Sequence, residues 1–188
     1  MEGLTAIIDA EDFSVSDLKG LLKCKTLRKL CIHYWSLSSP LVANDVEAMA
    51  ASWPTLEMLH LLTTNPFTRP HTPLSILTTI AQCMKSTLTD LGLELFADET
   101  VQLTTSLEAV GSTTLRHLTI GNSSIVEDGH EPYVANYLAS ICPHSVEISW
   151  RSRSILGIPD GSLDPWNKVG ALFKHSCSGA RGIAPRNP

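Results

Sequence analysis

The chain has 188 residues, 43% of them hydrophobic and 18% charged, and a formal net charge of −5. That length holds one domain and leaves little room for two, the composition excludes a disordered tail, and no apolar run is long enough to cross a bilayer as a helix. The acidic balance argues against a nucleic-acid partner. Met1 is followed by Glu2 and Gly3 with no basic or apolar leader, and the five cysteines (Cys24, Cys31, Cys83, Cys142, Cys177) contain no CxxC pair. The expected setting is therefore a reducing interior, cytoplasmic or nuclear, with no zinc ribbon and no disulfide framework.

The predicted elements alternate along the chain. Leu4 to Ile8 is a strand, and Leu18, Leu21 and Leu22 make a short helix behind Ser14 or Ser16. Leu27, Leu30 and Ile32 form the next strand. Val42, Val46, Met49, Ala50 and Trp53 then recur at helical spacing, with Asn44 or Asp45 as caps. After the strand Leu56, Leu59 and Leu61, Thr72 and Pro73 open a helix carrying Leu74, Leu77, Ile80, Ala81 and Met84. Leu88, Leu91 and Leu93 give a further strand, and Leu103, Leu107 and Val110 a helix that Gly111 ends. The strand Leu115, Leu118 and Ile120 precedes a helix opened by Pro132 and carrying Val134, Leu138 and Ile141.

Charge and turn formers divide the chain at residue 150. Residues 1–150 hold 8 Lys/Arg and 17 Asp/Glu, a balance of −9, whereas 151–188 hold 6 and 2, a balance of +4. Gly and Pro supply 9 of those last 38 residues. The second part reads as an irregular basic tail with one helix at about 164–175, where Asp164 caps, Pro165 takes the first helical position, and Trp166, Val169, Leu172 and Phe173 form the stripe. Past Ser176 the sequence has no period and is expected to fray.

The string L-x-x-L-x-(L/I) repeats through the acidic part. Its first slots fall at Leu27, Leu56, Leu88 and Leu115, and a looser fifth copy puts Pro143, Val146 and Ile148 in the same three places, so the spacings are 29, 32, 27 and 28. A five-residue strand cannot bury its apolar face alone, but stacked units line their strands into one parallel sheet with the helices behind it. The expected fold is an α/β solenoid of five to six repeats, with parallel strands on the concave face and helices on the convex face. The alternative is a small doubly wound α/β enzyme. Buried strands of that fold read as continuous Val/Ile runs, whereas LRKLCI, LTDLGL and LRHLTI are half polar.

The repeat resembles irregular leucine-rich repeats. The stretch from Asn44 to Leu61, a helix ending in Trp53-Pro54 and feeding Leu56-x-x-Leu59-x-Leu61, is similar to the repeat region of fungal F-box proteins, and Pro73 to Leu93 matches the same unit. The positions where regular repeats carry asparagine hold Trp35, Thr64, Phe96, Ser123 and Arg151, which points to the irregular subtype. The resemblance covers about residues 4–150. It implies a protein–protein recognition module: the target-binding half of a cullin-type ubiquitin-ligase receptor whose F-box, the segment docking a Skp-type adaptor, would precede Met1. A truncated or non-functional repeat fragment is the remaining alternative.

Phosphate-loop, dinucleotide, nucleophile-elbow and zincin patterns are absent from the sequence, and neither enzymatic activity nor a cofactor or metal is expected. His33 and His60, with Cys31 nearby, form a weak metal set, and Asp90, Glu94 and Glu147 a weak acid set. Both read better as polar positions on the outer face of the sheet. Cys83 and Cys142 read as small core residues, and Asn122-Ser123-Ser124 as a formal sequon only. The outward strand slots define the candidate partner surface: Lys29, Cys31 and His33; Met58, His60 and Leu62; Asp90, Gly92 and Glu94; His117, Thr119 and Gly121; Ser145, Glu147 and Ser149. Among these, Lys29, His33, Met58, His60, Leu62, Asp90, Glu94, His117, Thr119 and Glu147 are the expected contacts for a protein target. Gly92 and Gly121 are expected to leave hollows, and Phe67 in the loop from Thr63 to Thr72 is an interface anchor or a cover over the core.

Overall fold

The structure, a computed structural model, describes residues 3–65, 67, 71–97, 113–121, 124–125, 129–150 and 165–179. The helix expected from Leu103, Leu107 and Val110, the cap at Gly111, Asn122 and Ser123, and the segments 151–164 and 180–188 lie outside these residues.

The first strand, β1 (Leu4–Phe13), is longer than its apolar run, because its polar half, Asp9 to Asp12, continues to pair with β2 (Leu27–Leu37). Between them runs a 3-10 helix, Val15–Lys23, capped by Ser14, whose hydroxyl accepts from the Ser16 N–H at 3.3 Å. The Asp17 carboxylate returns a bond to the Ser14 N–H at 2.9 Å, so two orphan donors of the first turn are satisfied.

Helix α1 (Ala43–Ser52) starts one residue earlier than the expected caps: Asp45 lies inside its first turn and accepts the Val42 N–H at 3.1 Å. It ends at Trp53, which is buried and donates its indole N–H to the Leu21 carbonyl at 3.0 Å. Trp53 thus fastens α1 to the preceding 3-10 helix. Strand β3 (Met58–Thr63) follows. Thr72 and Pro73 do not open a helix. They form β4 (Thr72–Pro73), the edge of a second small ladder where a proline lacking an N–H is tolerated, and α2 (Ile76–Cys83) begins three residues later. The chain continues through β5 (Asp90–Leu93), β6 (Leu95–Ala97), β7 (His117–Ile120), β8 (Ser124–Ile125), α3 (Glu131–Ile141), β9 (Glu147–Trp150) and α4 (Pro165–Gly179).

The main sheet is six-stranded and wholly parallel, in the order β1-β2-β3-β5-β7-β9, and the small sheet runs β4-β6-β8. Main-sheet strands follow chain order without reversal. Register aligns the repeat slots: Leu30, Leu59, Leu91 and Leu118 are paired in succession, and so are Ile32, Leu61, Leu93 and Ile120. These rows are buried together with Val46, Met49, Leu77, Ile80, Val134 and Leu138 of the helices. Just ahead of the strands the pattern repeats in the backbone: the Glu57 N–H donates to Arg28 at 2.7 Å, Thr89 to Glu57 at 2.8 Å, and Arg116 to Thr89 at 2.8 Å. The fifth copy differs from its expected frame. Ile148 pairs with Leu118 and Trp150 with Ile120, so the slots given to Val146 and Ile148 belong to Ile148 and Trp150, two residues later. Pro143 and Val146 instead form the turn into β9, closed by the Val146 N–H on the Pro143 carbonyl at 3.0 Å.

Helix α4 extends beyond the expected 164–175 to Gly179. Its buried stripe is Trp166, Val169, Phe173 and Cys177, while Leu172 is exposed. Cys177 lies in the same apolar cluster as Cys142, whose thiol is pushed up to about 12 by burial, with the Cys177 charge second. The other cysteine read as a core residue, Cys83, is exposed at the end of α2, where Met84 takes the buried position. At the start of α3 the buried Glu131 carboxylate accepts from the Gly129 N–H at 2.8 Å and from Lys168 Nζ of α4 at 3.0 Å. Its own backbone N–H, then Lys168, hold its pKa below the ordinary carboxyl value in spite of burial.

Two outcomes follow from this packing. Leu59→Ala removes a fully buried side chain from an interior strand and should cost about 2–5 kcal/mol in urea unfolding. Glu131 titrates lower in the folded than in the unfolded chain, so it contributes stability above the ordinary carboxyl pKa that is lost as pH falls through the folded one. Glu131→Gln should therefore destabilise the chain by about 1 kcal/mol at neutral pH. The difference from wild type should close on acidification below the ordinary carboxyl range; a gap that stays constant with pH would contradict the assignment.

Candidate functional site: the open face of the sheet

Strand alternation sends one set of side chains into the core and the other outward. The outward set forms rows across the sheet because the strands are in register. One row reads Thr5, Lys29, Met58, Asp90, His117 and Glu147, and the next Ile7, Cys31, His60, Gly92, Thr119 and Ser149. Lys29, His117, Glu147 and Ser149 are exposed, and Met58, Cys31, His60, Asp90 and Thr119 are half-buried, so this face is open while the opposite one packs on the helices. Ser145 is exposed but precedes β9 and lies off the face.

Three histidines on this face each meet a carboxylate on a neighbouring strand. His60 Nε2 lies 2.6 Å from Asp90, His33 Nδ1 3.3 Å from Asp9, and His117 Nδ1 3.5 Å from Glu147. Thr119 and Ser149 share a hydroxyl contact of 3.1 Å further along the β7–β9 pair. These pairings separate the expected sets. Asp90 and Glu147 are kept apart by His117 in the same row, and Glu94 is elsewhere, so the three carboxylates do not converge. Cys31, His33 and His60 do not form a metal centre, and among the described residues no group of three or more His, Cys, Asp or Glu is placed to hold a metal ion.

Two expected contacts are turned away from a partner. Leu62 and Glu94 are only 8% and 5% exposed. The cause is the glycine beside each of them. Leu62 Cδ1 and the His60 ring occupy the space over Gly92, where an added Cβ would meet His60 Cδ2 at 2.9 Å. The Glu94 carboxylate lies over Gly121 and accepts the Thr63 N–H at 3.4 Å. The hollows expected at the two glycines are therefore filled from within. Burial, and then the Glu94 charge, push up the pKa of the Tyr34 hydroxyl.

Ile7 and Trp35 extend the open face beyond the residues read from the repeat strings. They are 69% and 54% exposed, and Asp9 and Glu11 of β1 are exposed beside them. The signal was present for Trp35, two residues past His33 on the same strand and hence on the same face. For Ile7 it was not, because β1 carries no repeat string. Phe67 is 69% exposed, with its N–H held by Asn65 Oδ1 at 2.9 Å, which settles its two readings in favour of display. A small apolar pocket lined by Leu77, Ile80, Met84, Leu118 and Ile141 lies on the helix side of the sheet, away from this face.

The fit of Glu94 over Gly121 is directly testable. A methyl group at residue 121 would collide with Glu94 Oε1, so Gly121→Ala should cost about 1–3 kcal/mol. Adding Glu94→Ala should recover part of that cost. A double-mutant cycle by chemical unfolding measures the coupling, and strict additivity would exclude the contact.

No family model, curated protein or solved structure matches this chain. The chemistry of the open face has to be read from its own residues.

Proposed function

We propose that the chain is a protein-recognition module: an irregular leucine-rich-repeat solenoid that serves as the target-binding half of an F-box-type ubiquitin-ligase receptor. The observation that carries this reading is the strict chain order of six parallel strands, with the described helices packed on one side of them. A doubly wound enzyme covers both faces of its sheet and reverses strand order at its binding crevice. Here, among the described residues, no helix packs on the outward face, and it bears mixed charge, hydroxyls, Met58 and an exposed Trp35, a composition suited to a protein surface. Lys29, His33, Met58, His60, Asp90, His117, Thr119 and Glu147 are the proposed contacts, with Ile7 and Trp35 as apolar anchors. A Skp-type adaptor and cullin would be engaged only through an F-box joined on the N-terminal side, and the repeats themselves would not bind the adaptor.

Comparative affinity capture tests this. Wild type and Glu47→Lys, which alters an exposed position on α1, should retain a common set of proteins. The Met58→Glu/His117→Glu double variant should lose at least one of them about tenfold, the loss of a single good contact region. Equal retention by all three chains would overturn the reading. Direct binding of a purified Skp-type adaptor to this chain would overturn the assignment of tethering to a separate segment.

A further inference from the structure

The main sheet begins with a strand that is paired on one side. β1 runs beside β2, and among the described residues no strand pairs along its other side. Alternate residues of this ten-residue edge therefore turn their N–H and C=O groups outward, where they can template a further strand. The core is open at the same place. Ala6, Ile8 and Ala10, the inward row of β1, are only half-buried, whereas their register partners Leu30, Ile32 and Tyr34 are buried. Leu4, in register with buried Leu27, is 46% exposed. At the opposite edge Trp150 of β9 is packed against α4 at Gly170. Nor is the edge blunted along its whole length: Leu4 to Ile8 contains no proline and no charge, and Asp9, Glu11 and Asp12 are confined to the second half of the strand.

We propose that this edge binds a second copy of the chain, β1 against β1, antiparallel, about a two-fold axis that passes through Ile7 perpendicular to the sheet. The sequence of the strand selects this register. Ile7 faces Ile7 of the second copy, Ala6 faces Ile8, Leu4 faces Ala10, and Thr5 faces Asp9. Every inward pair is then apolar, so each copy completes the half-buried row of the other. Within the paired segment from Leu4 to Ala10 no two acids face each other, and Asp9 meets a hydroxyl. An axis through Ile8 instead would set Asp9 against Ile7 and Asp12 against Leu4. A parallel pair would bring the acids of both copies level, and its two-fold would turn one sheet over, placing an open face beside a helix face. The perpendicular axis joins two six-stranded sheets into one, with the described helices on one side and both open faces on the other. The contact is isologous and uses up both β1 edges, so it closes at two copies. Trp35 and His117 stay on the open side, so the proposal stands whether or not the chain binds a target.

Sedimentation of the purified whole chain tests this in the absence of any target protein. Wild type should pass from monomer to dimer as its concentration rises through the micromolar range. Ile7→Lys, at an exposed position, sets like charges against each other on the two-fold axis. It should weaken the dimer about tenfold or more, while the circular dichroism spectrum stays that of wild type. Thr5→Lys, also exposed, sets a lysine against Asp9 of the second copy twice over and should hold the dimer at least as tightly as wild type. Mild oxidation of Ile7→Cys should trap a dimer linked through residue 7, because facing residues of an antiparallel pair lie about 4.5–5.5 Å apart at Cα, within disulfide reach. A chain that stays monomeric, one that associates without limit, or a dimer that Ile7→Lys leaves intact would overturn the proposal. Equal weakening by Thr5→Lys and Ile7→Lys would exclude the register on which it stands.

Discussion

Cross-strand registration of the inward rows is the constraint from which the rest of the structure follows. Leu30, Leu59, Leu91, Leu118 and Ile148 must coincide, and two residues on so must Ile32, Leu61, Leu93, Ile120 and Trp150. A slip of one residue between any two strands would send an apolar row outward and a polar row into the core. The register therefore places the open face as firmly as it places the core. His60 meets Asp90, and His117 meets Glu147, because the leucines beside them have already been aligned.

The connecting segments hold that register by specific bonds and not only by apolar area. Trp53 closes α1 onto the Leu21 carbonyl, and Tyr137 of α3 reaches Thr78 Oγ1 of α2 at 2.7 Å. Lys168 of α4 meets the buried Glu131, and the space where Gly170 lacks a side chain is taken by the Trp150 ring. The last helix is thus packed against the final strand and against α3. The charge reversal after residue 150 did not reveal this, since composition says nothing of where an amphipathic stripe finds its partner.

Much of this was legible in the sequence where periodicity is long enough to be measured. Four copies of the leucine string fell on their strands in the right frame. The fifth was set two residues early, because Val146 resembles a slot residue while Trp150, too large to match the string, is the one that occupies it. An even error preserves alternation, so Glu147 and Ser149 still emerged on the correct face. Strands β4, β6 and β8 were not legible: two or three residues carry no period, and Thr72-Pro73 is as good a helix opening as it is an edge strand. Alternation also placed Leu62 and Glu94 outward but could not show that a glycine on the next strand would let each side chain lie down across the sheet.

That last point bears on how the open face works. With Gly92 covered by His60 and Leu62, and Gly121 by Glu94, the middle of the sheet offers partners a filled surface and not a set of hollows. Relief is concentrated at the β1–β2 end, where Ile7 and Trp35 protrude. The β7–β9 end is polar, with His117 beside Glu147 and Thr119 beside Ser149. On the proposed recognition reading, a protein partner would gain most apolar contact at the first end.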